Sequence, residues 1–450
     1  MIITDALVEK YNKSGPRYTS YPPVPFWNNP PSQNSWPIHL KKNYQTENGL
    51  DLYIHIPFCE SLCSFCACNK FITKNHDKED PYIQALLKEW SIYLEKLGPI
   101  KLSSVHLGGG TPTFFAPEKL DQLLGALSPY FHQTQFIGAI EIDPRTCKIG
   151  HLQVLKKHKF NRISLGIQDF DFKVQKAVNR VQSYDLVKEL INNIKSHEFD
   201  GLNFDLIYGL PYQTIETITD TFEKVLEFAP DTIAYYGYAH VPWKVKSQNL
   251  IDEKSLPSEE LKKEIFDRGK LILEKNNYIP VGFDHFARPG SFLDLAMKSG
   301  TLQRNFMGYT DKKSNMILGL GVSSISTSSD SFIQNEKTVK SYYERLEKNE
   351  LPICSGHTHT KKDLDIDFII QDLMCKGIAD ITPVKSWPEW DIIQSELEEM
   401  KSDGLIKDTD KIDHLQITQN GRSYLRNICM VFDFHLKNKT STGPLFSKTV

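Results

Sequence analysis

The chain has little that would commit it to a membrane, a nucleic acid or a disulfide-stapled scaffold. No apolar run approaches the roughly 18–20 residues that a bilayer-spanning helix needs. The N-terminal MIITDALVEKYNKSG has neither an apolar h-region nor a cleavage signature. The cytosol is therefore the expected location, without stable membrane insertion. Formal net charge is only -3 over 450 residues, so no global basic field draws in nucleic acid. An anionic ligand would need a local basic pocket. Cysteine is scarce, with eight in the whole chain, too few for a disulfide framework and kept reduced in the cytosol. There is no short-period repeat and no G-K-[ST] phosphate loop. Hydrophobic residues at 40% and charged residues at 24% describe an ordinary globular protein. The length exceeds one small core and predicts a large domain with at least one smaller one.

Residues 1–50 are rich in Pro, Asn and aromatics (RYTSYPPVPFWNNPPSQNSWP). That Pro density forbids a long helix or a central strand, and the aromatics predict an extension that packs over something. From residue 51 β-rich runs alternate with helical ones. Strands are predicted near 51–56, 103–108, 138–143, 162–167, 203–209 and 232–238. Between them lie stretches such as YIQALLKEWSIYLEKL with apolar residues at helical spacing. This rhythm predicts parallel βαβ units. Six units are too few for a closed eightfold barrel, so an open (β/α)6 partial barrel is expected, with its chemistry at the strand C-termini. Residues from about 257 to 350 read as pieces that extend or cap it. The predicted domains are therefore 1–50, 51–355 and 356–450. The last is expected to be small, mainly helical and winged-helix-like. It is not basic, so DNA binding is not expected.

Four of the eight cysteines fall between Cys59 and Cys68, in HIPFCESLCSFCACNKF. Cys59, Cys63 and Cys66, spaced C-x-x-x-C-x-x-C after a predicted strand, can face one metal centre as thiolates. Three ligands for a four-iron cluster leave one iron open for a substrate. Structural zinc would call for a second C-x-x-C pair or finger-spaced histidines, and neither is present. HLGGGTPTF places three glycines after another strand, where backbone N–H groups can approach a polar ligand.

The loop is similar to the signature of radical S-adenosylmethionine (SAM) enzymes. The resemblance extends to the oxygen-independent coproporphyrinogen III oxidase (coproporphyrinogen dehydrogenase) family. It runs nearly end to end, through YNKSGPRYTSYP, LYIHIPFCESLCSFCACNK, HLGGGTPT, EIDPR, LGIQDF, VNR, DLIYGLP, YAHVP, DHFARP, RNFMGYT, GVSSIS and RNICMVFD. The resemblance implies a [4Fe–4S] cluster on Cys59, Cys63 and Cys66 whose open iron binds SAM. It further implies a 5′-deoxyadenosyl radical and oxidative decarboxylation of two propionates of coproporphyrinogen III to vinyls, giving protoporphyrinogen IX.

The same resemblance implies roles residue by residue. Tyr53, Phe65, Gly109, Gly110, Thr111, Glu141 and Ile325 match SAM contacts. Gln168, Arg180, Asp205 and Ala239 match a second SAM site beside the first, so two SAM molecules are expected. Cys68 matches a cysteine that does not ligate the cluster and takes part in turnover. Ala67 stands where the family usually has Gly and would be mildly strained if that position needs φ > 0. Arg17, His285, Arg288 and Arg304 are candidates for the propionates. His55 reads either as a group tuning the cluster or as an ordinary strand histidine. A flavodoxin- or ferredoxin-type electron donor and a monomeric state are expected. The alternative is a haem chaperone sharing the cysteine loop and GGGTP turn. Such relatives generally lack a cysteine at the place of Cys68, the YNKSGPRYTSYP segment and the RNICMVFD tail. A third reading is a radical SAM enzyme acting on another substrate, such as a methyltransferase.

Overall fold

A computed structural model describes residues 5–44, 49–134, 136–311, 316–438 and 445–449. Parts of the 1–50 segment, residues 1–4 and 45–48, lie outside that description. The six predicted strands form as β1 (Leu50–Ile56), β2 (Leu102–Gly109), β3 (Ile137–Ile142), β4 (Phe160–Gln168), β5 (Gly201–Tyr208) and β6 (Thr232–Gly237). They pair in parallel in chain order. Helices α1 (Glu79–Leu97), α2 (Pro117–Leu127), α3 (Ile149–Lys157), α4 (Tyr184–Ser196) and α5 (Ile215–Phe228) make the crossovers. Burial explains the pattern. All seven residues of β1 are buried, as expected of a strand covered on both faces. The helices bury one apolar stripe each, such as Val187, Leu190, Ile191 and Ile194 of α4.

The sheet grows at both edges beyond the six units. Helix α6 (Glu259–Lys275) leads to β7 (Ile279–Val281) and β8 (His285–Ala287). β8 adds antiparallel to β6, and β7 pairs with it outside. A short hairpin of β9 (Gln303–Asn305) and β10 (Gly308–Thr310) stands apart. At the other edge β11 (Ile317–Leu320) lies parallel to β1. β12 (Ile325–Thr327), β13 (Ser331–Asn335) and β14 (Ile353–Thr358) then follow in antiparallel fashion. The result is a twelve-stranded open sheet with the six parallel strands at its centre.

After Thr358 come α7 (Lys361–Lys376), α8 (Trp390–Ser402) and a small antiparallel sheet of β15 (Ile378–Asp380), β16 (Ile406–Asp408) and β17 (His414–Ile417). This is the expected helical unit with a β-wing. Its core is shared with the N-terminal segment, because Tyr11, Tyr18 and Tyr21 are buried among Ile366, Leu373, Tyr424 and Ile428. Arg426 joins these segments further, donating to the carbonyls of Gly15, Pro16 and Lys448. Among the described residues no helix is long and apolar enough to cross a membrane.

Candidate active site

The strand C-termini converge as parallel packing requires, and two cavities open there. The smaller, about 400 Å³, is lined by Cys59, Cys63 and Cys66. The GGT turn, Glu141, Gln168, Arg180 and Asp205 also line it. The larger, about 620 Å³, runs inside the barrel from Phe65, Cys66 and Cys68 past Ala239 to Arg17, His285 and Arg304. The two share Phe65, Cys66, Cys68, Glu141, Asp205, Ile207 and Tyr236. Ligands in them would therefore touch the same wall.

The cysteine loop leaves β1 through Pro57 and is pinned from several sides. The Cys59 Sγ lies 3.3 Å from Thr111 Oγ1, and burial pushes its thiol up to about 11. Cys63 Sγ receives Arg145 Nη2 at 3.5 Å and Arg180 Nη1 at 3.7 Å. The Cys68 thiol donates toward Cys66, which brings Cys66 down to about 6 and raises Cys68 well above the ordinary thiol value. Cys68 remains accessible through both cavities. All eight cysteines are free. Three thiols on one cavity rim, with two guanidiniums aimed at one of them, fit an anionic sulfur-ligated cluster. The Arg180 Nε, buried without a partner, fits an additional polar ligand in the smaller cavity.

The glycine turn has a packing reason that sequence reasoning did not supply. Gly109 has φ +109°, and a Cβ there would meet the His55 ring at 2.7 Å. A Cβ on Gly110 would meet the Pro57 carbonyl oxygen at 2.6 Å. The glycines let β2 close against the start of the cysteine loop while Gly109 and Gly110 still face the cavity. His55 itself is satisfied, its Nε2 2.9 Å from the Asn69 carbonyl and its Nδ1 3.1 Å from the Tyr53 hydroxyl. Burial lowers its pKa. Ala67 is not among the positive-φ residues, so alanine is unstrained there.

Glu141 on β3 and Asp205 on β5, with β4 between them, stand in opposite electrostatic states. Burial pushes Glu141 up. The His106 ring at 3.1 Å and the Gly109 N–H outweigh it and hold the carboxyl below its ordinary value. Among the described residues Asp205 has only Ser164 and Asn203 as donors. Desolvation and the nearby Glu141 charge raise it to about 7. Gln168 reaches the cavity from a left-handed residue (φ 67°) at a register shift between β4 and β5, the local kink that a bulge provides.

Some expected residues lie elsewhere. Tyr53 is buried against His106 and edge-on to Phe306 and lines neither cavity. Ile325 sits on β12 outside both. Arg288 donates to the Ala229 carbonyl at the surface rather than facing the barrel. Arg304 faces the barrel, yet both its Nη atoms bind Asp284 at 3.3 Å. The Arg17 guanidinium donates to the Gly237 carbonyl at 2.6 Å and has no carboxylate partner among the described residues.

Sequence reasoning missed Asp143 and Gln248. Asp143 is buried and accepts from Arg180 Nη1 at 2.5 Å and Arg145 Nη2 at 2.7 Å. It follows Glu141 by two residues at the end of β3, so the strand period was the signal that could have found it. Gln248 donates to the carbonyls of Phe65 and Ala239, and nothing local in the sequence marks it.

Residues 53–225 match the radical SAM superfamily pattern. The oxygen-independent coproporphyrinogen III oxidases of Salmonella typhimurium and Helicobacter pylori are each 37% identical to this chain. The alignments cover 96% of both chains and 98% of both chains, respectively. The structure of coproporphyrinogen III oxidase from Escherichia coli, described as a radical SAM enzyme, superposes with a TM-score of 0.86 at 34% identity. That match covers 96% of this chain and 99% of the other. With likeness over nearly the whole length of each partner, and with the cysteine loop, glycine turn and strand-end carboxylates in place, the chain belongs to the radical SAM superfamily and, within it, to the oxygen-independent coproporphyrinogen III oxidase family.

Proposed function

We propose that the protein converts two propionates of coproporphyrinogen III to vinyl groups, yielding protoporphyrinogen IX without oxygen. Each propionate side chain that reacts loses one hydrogen atom to the SAM-derived radical, CO2, and one electron that passes to an external one-electron acceptor. When bound, the [4Fe–4S] cluster and SAM supply the radical that takes the hydrogen. Cys59, Cys63 and Cys66 would hold the cluster. Gly109, Gly110, Thr111 and Glu141 would bind and orient SAM in the smaller cavity. Gln168, Arg180 and Asp205, with Ala239 on the shared wall, would take a second SAM. Cys68 faces both cavities, which suits a group that meets the substrate and leaves the cluster alone. A flavodoxin- or ferredoxin-type protein would deliver the electron that the cluster needs.

The observation that carries this reading is the pair of cavities with a common wall. The smaller cavity shares a wall with a chamber of about 620 Å³, and Arg17 stands in that chamber's wall without a carboxylate partner among the described residues. A guanidinium suits a carboxylate. The test is anaerobic turnover with SAM and reductant. Protoporphyrinogen IX should form with two SAM consumed per product. Stable stoichiometric haem binding without turnover, in cluster-loaded protein, would favour the chaperone instead.

A further inference from the structure

Behind Arg17 lies a third cavity, outside the site described so far. It is walled by α6, the Gly237–Tyr238 turn, the segment from Arg422 to Arg426 and residues 447–449. It offers about 70 Å³ of open space, room for a few waters or one carboxylate but not for a ring. Its lining carries six basic side chains and one acid, Asp267. Asp267 is taken by Lys263 at 2.6 Å, and Lys448 pairs with Glu259. Arg17, Lys262, Arg422 and Arg426 are left with no carboxylate partner among the described residues. Lys262 donates only to the Tyr238 carbonyl at 2.9 Å, and Arg426 spends its donors on backbone carbonyls.

A cluster of cations under a protein surface is costly unless an anion meets it. The cost is visible here. Burial, then the neighbouring Arg17 charge, brings Lys262 down to about 8 and Arg426 down to about 9. Arg17, Gly237 and Tyr238 line this cavity and the barrel chamber alike, so the annex is an alcove off the substrate wall. No residue of the cysteine loop or glycine turn lines it.

We infer that the Arg17–Lys262–Arg426 alcove is a carboxylate-binding subsite that anchors a propionate the reaction leaves intact. This rests on the porphyrinogen reading above. A carboxylate held away from the cysteine loop cannot be the one that reacts, and substrate and product both retain two such groups. One anchored propionate would fix the macrocycle's rotation in the barrel and so decide which edge meets the radical.

The test is equilibrium titration of cluster-loaded protein, under anaerobiosis, with coproporphyrin III and with protoporphyrin IX. Each is the oxidised, stable form of one proposed partner. Lys262→Gln keeps a donor for the Tyr238 carbonyl and removes the charge. It should raise Kd about tenfold for both porphyrins by the same factor, as loss of one charge-assisted bond requires. Lys262→Arg should restore binding. Arg422→Gln, at the mouth, should weaken both in parallel by a smaller factor. Unchanged affinity in Lys262→Gln overturns the subsite. A loss confined to coproporphyrin III overturns the claim that the anchored carboxylate is an unreacting one. Wild-type protein that binds neither porphyrin overturns the substrate reading itself, a result distinct from the first two.

Discussion

Asp143 offers a direct test of how the cysteine loop is braced. It is 7% exposed and faces two guanidiniums, Arg180 at 2.5 Å and Arg145 at 2.7 Å. Both of these reach on to Cys63 Sγ. Asp143→Asn keeps the shape and an acceptor but leaves two mostly buried cations without their carboxylate. Breaking a buried ion pair from one side costs about 3–5 kcal/mol. The retained Asn oxygen and the 21% exposure of the Arg145 side chain place the expected loss near the lower end, about 3 kcal/mol. Loading the cluster sets anionic sulfur beside both guanidiniums, so the loss should be smaller in cluster-loaded than in apo protein. The pH dependence has a definite sign. Arg180 and Arg145 overcome burial and hold Asp143 below its ordinary 3.8. Its contribution is therefore fully present above the unfolded value and disappears as pH falls through the lower folded value. Parallel denaturant titrations of parent and variant should show a constant gap from pH 7 to about 5, narrowing only on further acidification. A gap under about 1 kcal/mol at pH 7 in the apo protein would refute the reasoning, as would a gap equal in apo and loaded forms.

Serine at Cys59, Cys63 or Cys66 should abolish retention of iron and sulfide after anaerobic reconstitution. Cys68→Ser should keep the cluster and lose turnover, and loss of the cluster there would show that Cys68 is a ligand. Asp205 is raised to about 7 from an ordinary 3.8, so ionising it costs the fold stability as pH climbs through that interval. Asp205→Asn should lack that decline, seen as a parent-to-variant stability difference that grows in the variant's favour from pH 4 to 8. Gly109→Ala adds a 2.7 Å clash with His55 to backbone strain at positive φ. Gly98→Ala, at φ +82° with nothing within 4 Å, adds strain alone. Thermal melts should put the first about 1–3 kcal/mol below the second. Equal melts would remove the packing account of the turn.

The central strands were legible because β1 to β6 are short β-rich runs set in a regular βα rhythm, and residues 50–56 carry no helical period. The cysteine loop was legible because its spacing is local. The sheet's growth beyond residue 279 was not, since β7 to β14 are mostly three to six residues long and antiparallel. Such runs carry too little periodicity to assign. Among site residues, Glu141, Gln168, Arg180 and Asp205 do meet at one cavity. Tyr53 packs on His106 and Phe306, partners distant in sequence, and Ile325 lies on β12, outside both cavities. Arg304 illustrates another limit. Its charge is evident in the sequence, but its neutralisation by Asp284, twenty residues away, is a product of the fold.

Arg426 and the residues it grips give the chain an order of assembly. A nascent protein released as far as Gly237 already contains all six parallel strands, yet Arg17 has nothing firm behind it. The GPRYTSYP segment gains its last contacts when Arg426 and residues 447–449 arrive to bind Gly15 and Pro16 and line the alcove. The earliest part of the chain to emerge from the ribosome is thus among the last to be locked in place. A chain that stopped short of Arg426 would keep the residues that line the barrel chamber but lose one whole wall of the alcove beside it.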